Sequence, residues 1–261
     1  SLLGSASVYL VANILNALVP FLLLPIFTRV LEPSEYGKVA LFQMLIAVFS
    51  AIVGLHTAGA AIRKHYDDNV SDSEIATYIA SCMQIMLGSG LLVLIILLPW
   101  REGIASLVNV PVGWIFFALA SASALFAVRV RLGQWQVQSE AVHYALMQVG
   151  LSASISILSV VLVVFLSLGA VGAVLGHTVA VISTALVALY TLIRQDRLRW
   201  SWAPAQIKEA LSYGVPLVPH VAGIFLLSMA DRFYISFYLG LDAAGMYVVA
   251  AQLAMGLGIL F

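Results

Sequence analysis

Seven stretches of this chain carry no Asp, Glu, Lys or Arg: residues 1–28, 39–62, 75–100, 103–128, 141–193, 210–230 and 243–261. A helix that crosses a bilayer needs about 20 predominantly apolar residues, and each stretch supplies roughly one. The 141–193 stretch is long enough for two, with Ser167-Leu168-Gly169 as the turn between them. Eight spanning helices follow, at about 6–29, 37–60, 75–98, 111–132, 143–166, 170–193, 209–239 and 243–261. Barrel strands are disfavoured, because they alternate polar and apolar residues over about ten positions and these runs are apolar on all sides. Of 261 residues 62% are hydrophobic and 9% charged, against about 25% charged in a soluble domain. Too few polar side chains remain to cover a water-soluble surface. The expected fold is an all-α, polytopic integral membrane bundle.

Twelve Lys/Arg balance twelve Asp/Glu, which removes the electrostatic case for a nucleic-acid partner. Cys82 is alone, so neither an intramolecular disulfide nor a cysteine metal cluster is expected. Residues 1–28 lack the basic leading region of a signal peptide and outrun its usual length, and they read as the first span. The first residue is Ser and the last run ends inside an apolar stretch, so the chain is expected to be a fragment lacking part of its C-terminal side. Arg63, Lys64, Arg129, Arg131, Arg194, Arg197, Arg199 and Lys208 fall in the connections after the second, fourth and sixth spans. Arg29, Lys38, Arg101 and the membrane-proximal Arg232 fall on the other side. The positive-inside rule then puts the N-terminus and the first set in the cytoplasm. Trp100 and Trp114 mark the outer interface; Trp135, Trp200 and Trp202 mark the inner one.

A weak internal repeat is present. A shift of 208 residues lays Leu31 on Leu239, Gly37 on Gly245 and Leu45 on Leu253, with Gln43 and Gln252 one position out of register. A six-helix unit is even, so a second copy enters from the same side, a parallel repeat about an axis along the membrane normal. The organisation expected is a six-helix lobe over 1–193, a cytoplasmic linker over 194–208 and the first two helices of a second lobe over 209–261.

Two segments carry a resemblance. Leu22-Leu23-Leu24-Pro25-Ile26-Phe27-Thr28-Arg29-Val30-Leu31-Glu32-Pro33-Ser34-Glu35-Tyr36-Gly37 resembles the first inter-helix turn of the bacterial polysaccharide transporter family, which includes O-antigen and exopolysaccharide lipid-linked oligosaccharide flippases. Tyr213-Gly214-Val215-Pro216-Leu217-Val218-Pro219, with Asp231-Arg232-Phe233-Tyr234-Ile235 and Leu239-Gly240-Leu241-Asp242-Ala243-Ala244-Gly245-Met246-Tyr247, is similar to the seventh-to-eighth helix region of that family. The resemblance implies a two-lobed transporter of 12–14 helices, within the superfamily that also holds multidrug exporters and lipid II flippases. It implies a multi-pass protein of the bacterial cytoplasmic (inner) membrane that moves a polyprenyl-diphosphate-linked glycan by alternating access. Membrane lipid and other polysaccharide-assembly proteins are the further partners it implies. No cofactor and no metal are expected, with a proton or a sodium gradient left open for coupling.

Such cargo is anionic at its diphosphate and hydrated at its sugars, so the useful side chains are intramembrane cations, amides and hydroxyls. Arg232, within the seventh span, is the first candidate, since a central Arg costs about 2.5–3.5 kcal/mol to insert. Its replacement by Ala is expected to abolish export. Equally, Arg232 could lock packing through the adjacent Asp231 or through carbonyls of another helix. Arg29 ends the first span and reads as a residue that snorkels to headgroups or as a cavity candidate. Asn13 and Asn16 share one face of the first helix; with Gln43, Gln84, Gln148, His177 and His220 they either line a cavity or bond neighbouring helices. Arg63, Lys64, Arg129 and Arg131 form a cytoplasmic set that attracts a diphosphate headgroup or simply fixes topology. Pro20 and Pro25, with Pro216 and Pro219, fall in the lead helix of each lobe and are expected to break it where transport requires movement.

Two other functions fit the hydrophobicity. An organic-cation antiporter of the same superfamily would want a buried carboxylate, and Asp231 stands beside an Arg. A membrane-embedded polysaccharide polymerase or ligase would gather acid/base or cationic groups at a sizeable outer loop. Here the outer turns are short, with Glu32, Glu35, Arg101, Glu102 and Asp242 as their main charges. No catalytic residues are expected.

Overall fold

The computed structural model describes residues 2–67 and 70–260, and all regular structure among them is helical. The helices are α1 (Leu2–Val30), α2 (Pro33–Ile52), α3 (Thr57–Arg63), α4 (Asp72–Val108), α5 (Val112–Val137), α6 (Ala141–Val160), α7 (Gly169–Arg194), α8 (Pro204–Gly214), α9 (Val218–Leu239) and α10 (Leu241–Leu260). Among the described residues, six segments are long and apolar enough to cross a membrane: Ser7–Val30, Pro33–Tyr66, Asp72–Val108, Val112–Val137, Ala141–Phe165 and Gly169–Arg194. Leu87, Leu91, Leu92 and Ile95 on α4, like Leu146 on α6 and Leu186 on α7, are more than half exposed. Hydrocarbon, not water, is the solvent in which such a surface is stable.

The interior is built where α2, α4, α5 and α7 meet, around the fully buried Leu41, Phe42, Ile79, Ile115, Val174 and Leu192. The α6–α7 hairpin closes through small residues four apart. A Cβ on Gly172 would lie 2.8 Å from the Leu162 carbonyl carbon, and one on Gly176 would lie 2.6 Å from Ser159 N. Backbones that approach this closely gain the dispersion contacts that hold helices together in lipid.

Charge-free runs locate the helices but not their ends or breaks. The second span is not one helix over 37–60. It stops at Ile52 and resumes at Thr57, and between them Gly54, Leu55 and His56 all adopt left-handed dihedrals (φ 76°, 46° and 59°). Ser89 Oγ accepts the Gly54 amide at 2.8 Å, and Thr57 Oγ1 donates to the Gly54 carbonyl at 2.6 Å. These bonds satisfy backbone groups that would otherwise be orphaned in the membrane. The Phe126 ring fills the space where a Gly54 side chain would be, its nearest atom 2.2 Å from an ideal Cβ. Gly54→Ala therefore meets both a positive φ and an aromatic ring. It is expected to destabilise the bundle by about 2 kcal/mol or more, measured as a lowered thermal midpoint in detergent.

The third span continues through Pro99 to Val108 as part of α4, which puts Arg101 and Glu102 on a helix and not in an outer loop. The seventh, expected over 209–239, is divided: α8 ends at Gly214, Val215–Leu217 form a 3₁₀ turn, and α9 begins at Val218. Pro216 and Pro219 thus stand at a real discontinuity. Pro25 does not, because α1 runs unbroken from Leu2 to Val30. The Pro20 backbone belongs to the same unbroken helix, and its side chain lies outside the described residues. The break in the first half of the chain falls instead in its second span, where Gly54 supplies the left-handed backbone. The two breaks touch, since a Cβ on Gly214 would lie 2.2 Å from the Leu55 carbonyl oxygen.

Residues 195–203 run without helix along the start of α4. Arg197 Nη1 pairs with Asp72 Oδ1 at 2.6 Å, Arg199 Nη1 donates to Ser73 Oγ at 3.0 Å, and Gln84 Nε2 donates to the Ser201 carbonyl at 2.9 Å. Gln84 is therefore committed to holding this connection. Helix resumes at Pro204, inside the stretch expected to be linker.

Residues that the 208-residue shift aligns meet in one contact. A Cβ on Gly37 would lie 2.4 Å from Leu241 O and 3.3 Å from Gly245 N, while one on Gly245 would lie 1.9 Å from Pro33 O and 3.2 Å from Gly37 N. The same 208-residue shift carries Pro33 onto Leu241 and Gly37 onto Gly245. Each glycine thus packs on the repeat-mate of the residue that its own counterpart packs on. That reciprocity is the signature of a two-fold relation between the partners. Tyr36 Oη adds a 2.7 Å hydrogen bond to Gln252 Oε1 across the same junction.

Candidate functional site

Beneath this α2–α10 junction lies a cavity of about 270 Å³, walled by α1, α2, α6, α7 and α10. Its polar lining is Asn16, Tyr36, Gln43, Ser152, His177 and Gln252; the remainder is aliphatic except for Phe27. No Asp, Glu, Lys or Arg belongs to it. Ser152 Oγ donates to Asn16 Oδ1 and stands 3.2 Å from the Gln148 carbonyl. His177 turns an edge to Phe42, with ring centres 5.9 Å apart, and its buried Nε2 has no hydrogen-bond partner among the described residues. Gln43 is exposed to the opening. The site therefore offers neutral donors and acceptors on an apolar frame, the chemistry that replaces water around hydroxyl groups.

Sequence reasoning identifies Asn16, Gln43 and His177 because a polar residue inside an apolar run stands out. It separates neither Asn13 from Asn16 nor His220 from His177. Asn13 and His220 are exposed and outside this cavity. Tyr36 and Ser152 were not expected in the site: a tyrosine at a span end reads as an interfacial aromatic, and serine is unremarkable inside a helix.

The structure puts Arg232 elsewhere. It is 8% exposed and lines neither this cavity nor the one described next. Its neighbour Asp231 accepts hydrogen bonds from the Arg232 amide at 2.8 Å and from Tyr247 Oη of α10. Arg29 is exposed at the end of α1, as expected of a residue reaching for headgroups.

A second cavity, about 460 Å³, opens between α3, α4 and the α8–α9 break. Arg63 and Lys64 line it, but so do Asp67 and Glu209. Lys64 Nζ is bound to both carboxylates, at 3.1 and 2.8 Å, and lies over the Tyr78 ring; Arg63 lies over Tyr213, 5.4 Å from the ring centre. Among the described lining residues two cations meet two carboxylates, a balance that does not single out an anion. Arg129 is exposed on α5. Arg131 departs furthest from expectation. It is 0% exposed, because α5 continues past it to Val137 and carries the guanidinium into the bundle instead of into a loop.

The family described as Polysaccharide biosynthesis protein matches residues 2–261. Two Haemophilus influenzae proteins are similar: "Lsg locus putative protein 1", 27% identical over 255 residues, covering 95% of this chain and 60% of the relative, and "Uncharacterized membrane protein", 25% identical, covering 99% and 62%. The chain thus spans about 60% of the length of these relatives. Among solved structures, an inward-facing multidrug resistance MATE family transporter of the MOP superfamily superposes with TM-score 0.67 at 19% identity, over 94% of this chain and 59% of that one. A MATE protein in complex with Br-NRF gives TM-score 0.62 at 19% identity, over 94% and 65%. At this identity the likeness is one of fold.

Proposed function

The chain belongs to the polysaccharide biosynthesis protein family, and on that premise we propose that it forms the first lobe and the opening of the second in a flippase for polyprenyl-diphosphate-linked oligosaccharide. The observation that carries this reading is the uncharged cavity of amides, hydroxyls and imidazole between α1, α2, α6, α7 and α10. A glycan needs its hydration replaced, and these groups replace it; an organic cation needs a carboxylate, and the cavity lining has none. No bond is broken, so no nucleophile is required. The two lobes rock about the α2–α10 junction while the polyprenyl tail stays in lipid, and the basic connections face the cytoplasm of the inner membrane. The products served are surface or exported polysaccharides such as O-antigen, capsule or exopolysaccharide.

Deleting the gene should leave lipid-linked glycan on the cytoplasmic leaflet and remove the corresponding glycan from the cell surface. Both are measurable by lectin or antibody labelling of intact and opened cells. Normal surface glycan together with increased sensitivity to organic cations would overturn the reading in favour of a drug antiporter.

A further inference from the structure

Away from the transport cavity, the ends of α5, α6 and α7 on the side of the basic connections enclose a cavity of about 510 Å³. Its polar lining is Trp135, His143, Tyr190, Thr191, Arg194 and Gln195, and no carboxylate belongs to it. Behind these residues sits Arg131, wholly buried, donating from Nε to Thr191 Oγ1 at 3.0 Å and from Nη2 to Gln195 Oε1. Its Nη1 has no hydrogen-bond partner among the described residues, and it belongs to none of the ion pairs among them. The Trp135 indole contacts both the Arg131 guanidinium, 4.2 Å from a ring centre, and the stacked His143 imidazole at 5.5 Å, and its buried Nε1 likewise lacks a partner among the described residues. Glu140 is the nearby acid, paired with His143 at 3.0 Å outside the cavity lining.

The Arg131 guanidinium is hydrogen-bonded by neutral groups and covered by an aromatic face; Glu140 attracts it and Arg197 repels it, both without direct contact, so its burial remains costly. The cavity beside it opens among Leu146, Val187 and Tyr190, all more than half exposed on the lipid-facing surface. The cavity lining thus favours an occupant that brings an anion to Arg194, in front of the buried Arg131, and apolar chains to Leu146 and Val187. We infer that this cavity binds the phosphate headgroup of an anionic phospholipid, with its acyl chains lying along α6 and α7. Basic pockets between spanning helices at the cytoplasmic interface recognise lipids in this way. The site stands apart from the glycan cavity and does not depend on what that cavity carries.

The test uses the intact protein in nanodiscs of phosphatidylcholine with or without phosphatidylglycerol, with retained lipid counted by native mass spectrometry. Wild type should retain phosphatidylglycerol in preference to phosphatidylcholine and melt at a higher temperature with it. Arg194→Ala should lower that preference roughly fivefold. The fold should survive this change, because Arg194 is exposed and, among the described residues, its side chain bonds only Tyr190 Oη, at 3.3 Å. Val187→Trp, which fills the mouth, should do the same without touching any charge. Equal retention by wild type and both variants would overturn the inference. So would inorganic phosphate alone raising the melting temperature as far as phosphatidylglycerol does, because a free anion would then be the ligand.

Discussion

Gly245→Leu in the intact protein is expected to stop glycan export and to leave the cavity open towards the α2–α10 end. Any side chain at this position is driven into the Pro33 carbonyl, 1.9 Å from an ideal Cβ, and backbone cannot swing aside as a flexible side chain would. Overpacking of this kind costs about 1–3 kcal/mol, and here it falls only on the state in which α2 and α10 touch. A cost of that size confined to one state shifts the equilibrium by roughly five- to 150-fold towards the other. The measurement is the labelling rate of Gln43→Cys, in an otherwise cysteine-free protein, by a membrane-impermeant thiol reagent added outside. The rate should rise by that factor when Gly245→Leu is added. Tyr36→Phe is a gentler companion that removes only the 2.7 Å bond to Gln252. A hydrogen bond contributes about 0.5–1.5 kcal/mol net, so it should raise labelling a few-fold. An unchanged rate in both variants at normal membrane levels would mean that this junction is not the outer seal.

The same junction shows what the sequence makes legible and what it hides. Leu31, Gly37 and Leu45 align with Leu239, Gly245 and Leu253, matches that chance supplies readily among apolar residues. Only the reciprocal approach of Gly37 to Leu241 and of Gly245 to Pro33 turns the alignment into a physical relation. Helix positions were readable because hydrocarbon tolerates so few charges. Helix ends were not, because a charge near an interface is compatible with either a loop or one further turn. Arg131 illustrates the difference: read as a loop cation, it is buried because α5 runs on to Val137. The break at Val53–His56 was hidden for another reason. Gly54 is one glycine in a chain with nineteen, and only the Phe126 ring against it shows that this position excludes a side chain.

Charge and cavity lining point to different residues. An intramembrane arginine is costly and so draws attention; Arg232 is buried and lines neither cavity, while the groups that line the cavity between α1, α2, α6, α7 and α10 are uncharged. Neutral amides and hydroxyls cost less to insert and stand out less in a sequence, but they are what a sugar requires. Their function depends on where α1, α6 and α10 bring them together, information that lies in packing and not in the order of residues.

If that cavity carries the glycan, removing its amides should disable transport while sparing the bundle. Asn16→Leu and Gln43→Leu test this with little structural cost. Ser152, which bonds Asn16, keeps the Gln148 carbonyl as an acceptor at 3.2 Å, and Gln43 is exposed to the opening. Leucine shares the branched heavy-atom skeleton of asparagine and is near glutamine in size, and it removes the donors and acceptors of both. A sugar hydroxyl brought against leucine loses its water and gains no replacement, a penalty of about 1–3 kcal/mol per group. Each single variant should therefore lower export roughly tenfold and the pair roughly a hundredfold, if the two sites act independently. Initial rates of glycan appearance at the outer leaflet would measure it, normalised to protein in the membrane. Insertion and thermal midpoint should stay near wild type. Wild-type export by the double variant would remove this cavity from the glycan's path. Loss of export together with loss of the folded bundle would instead make the Asn16–Ser152 bond a structural clasp between α1 and α6, and substituting Gln43 alone would then separate the two roles.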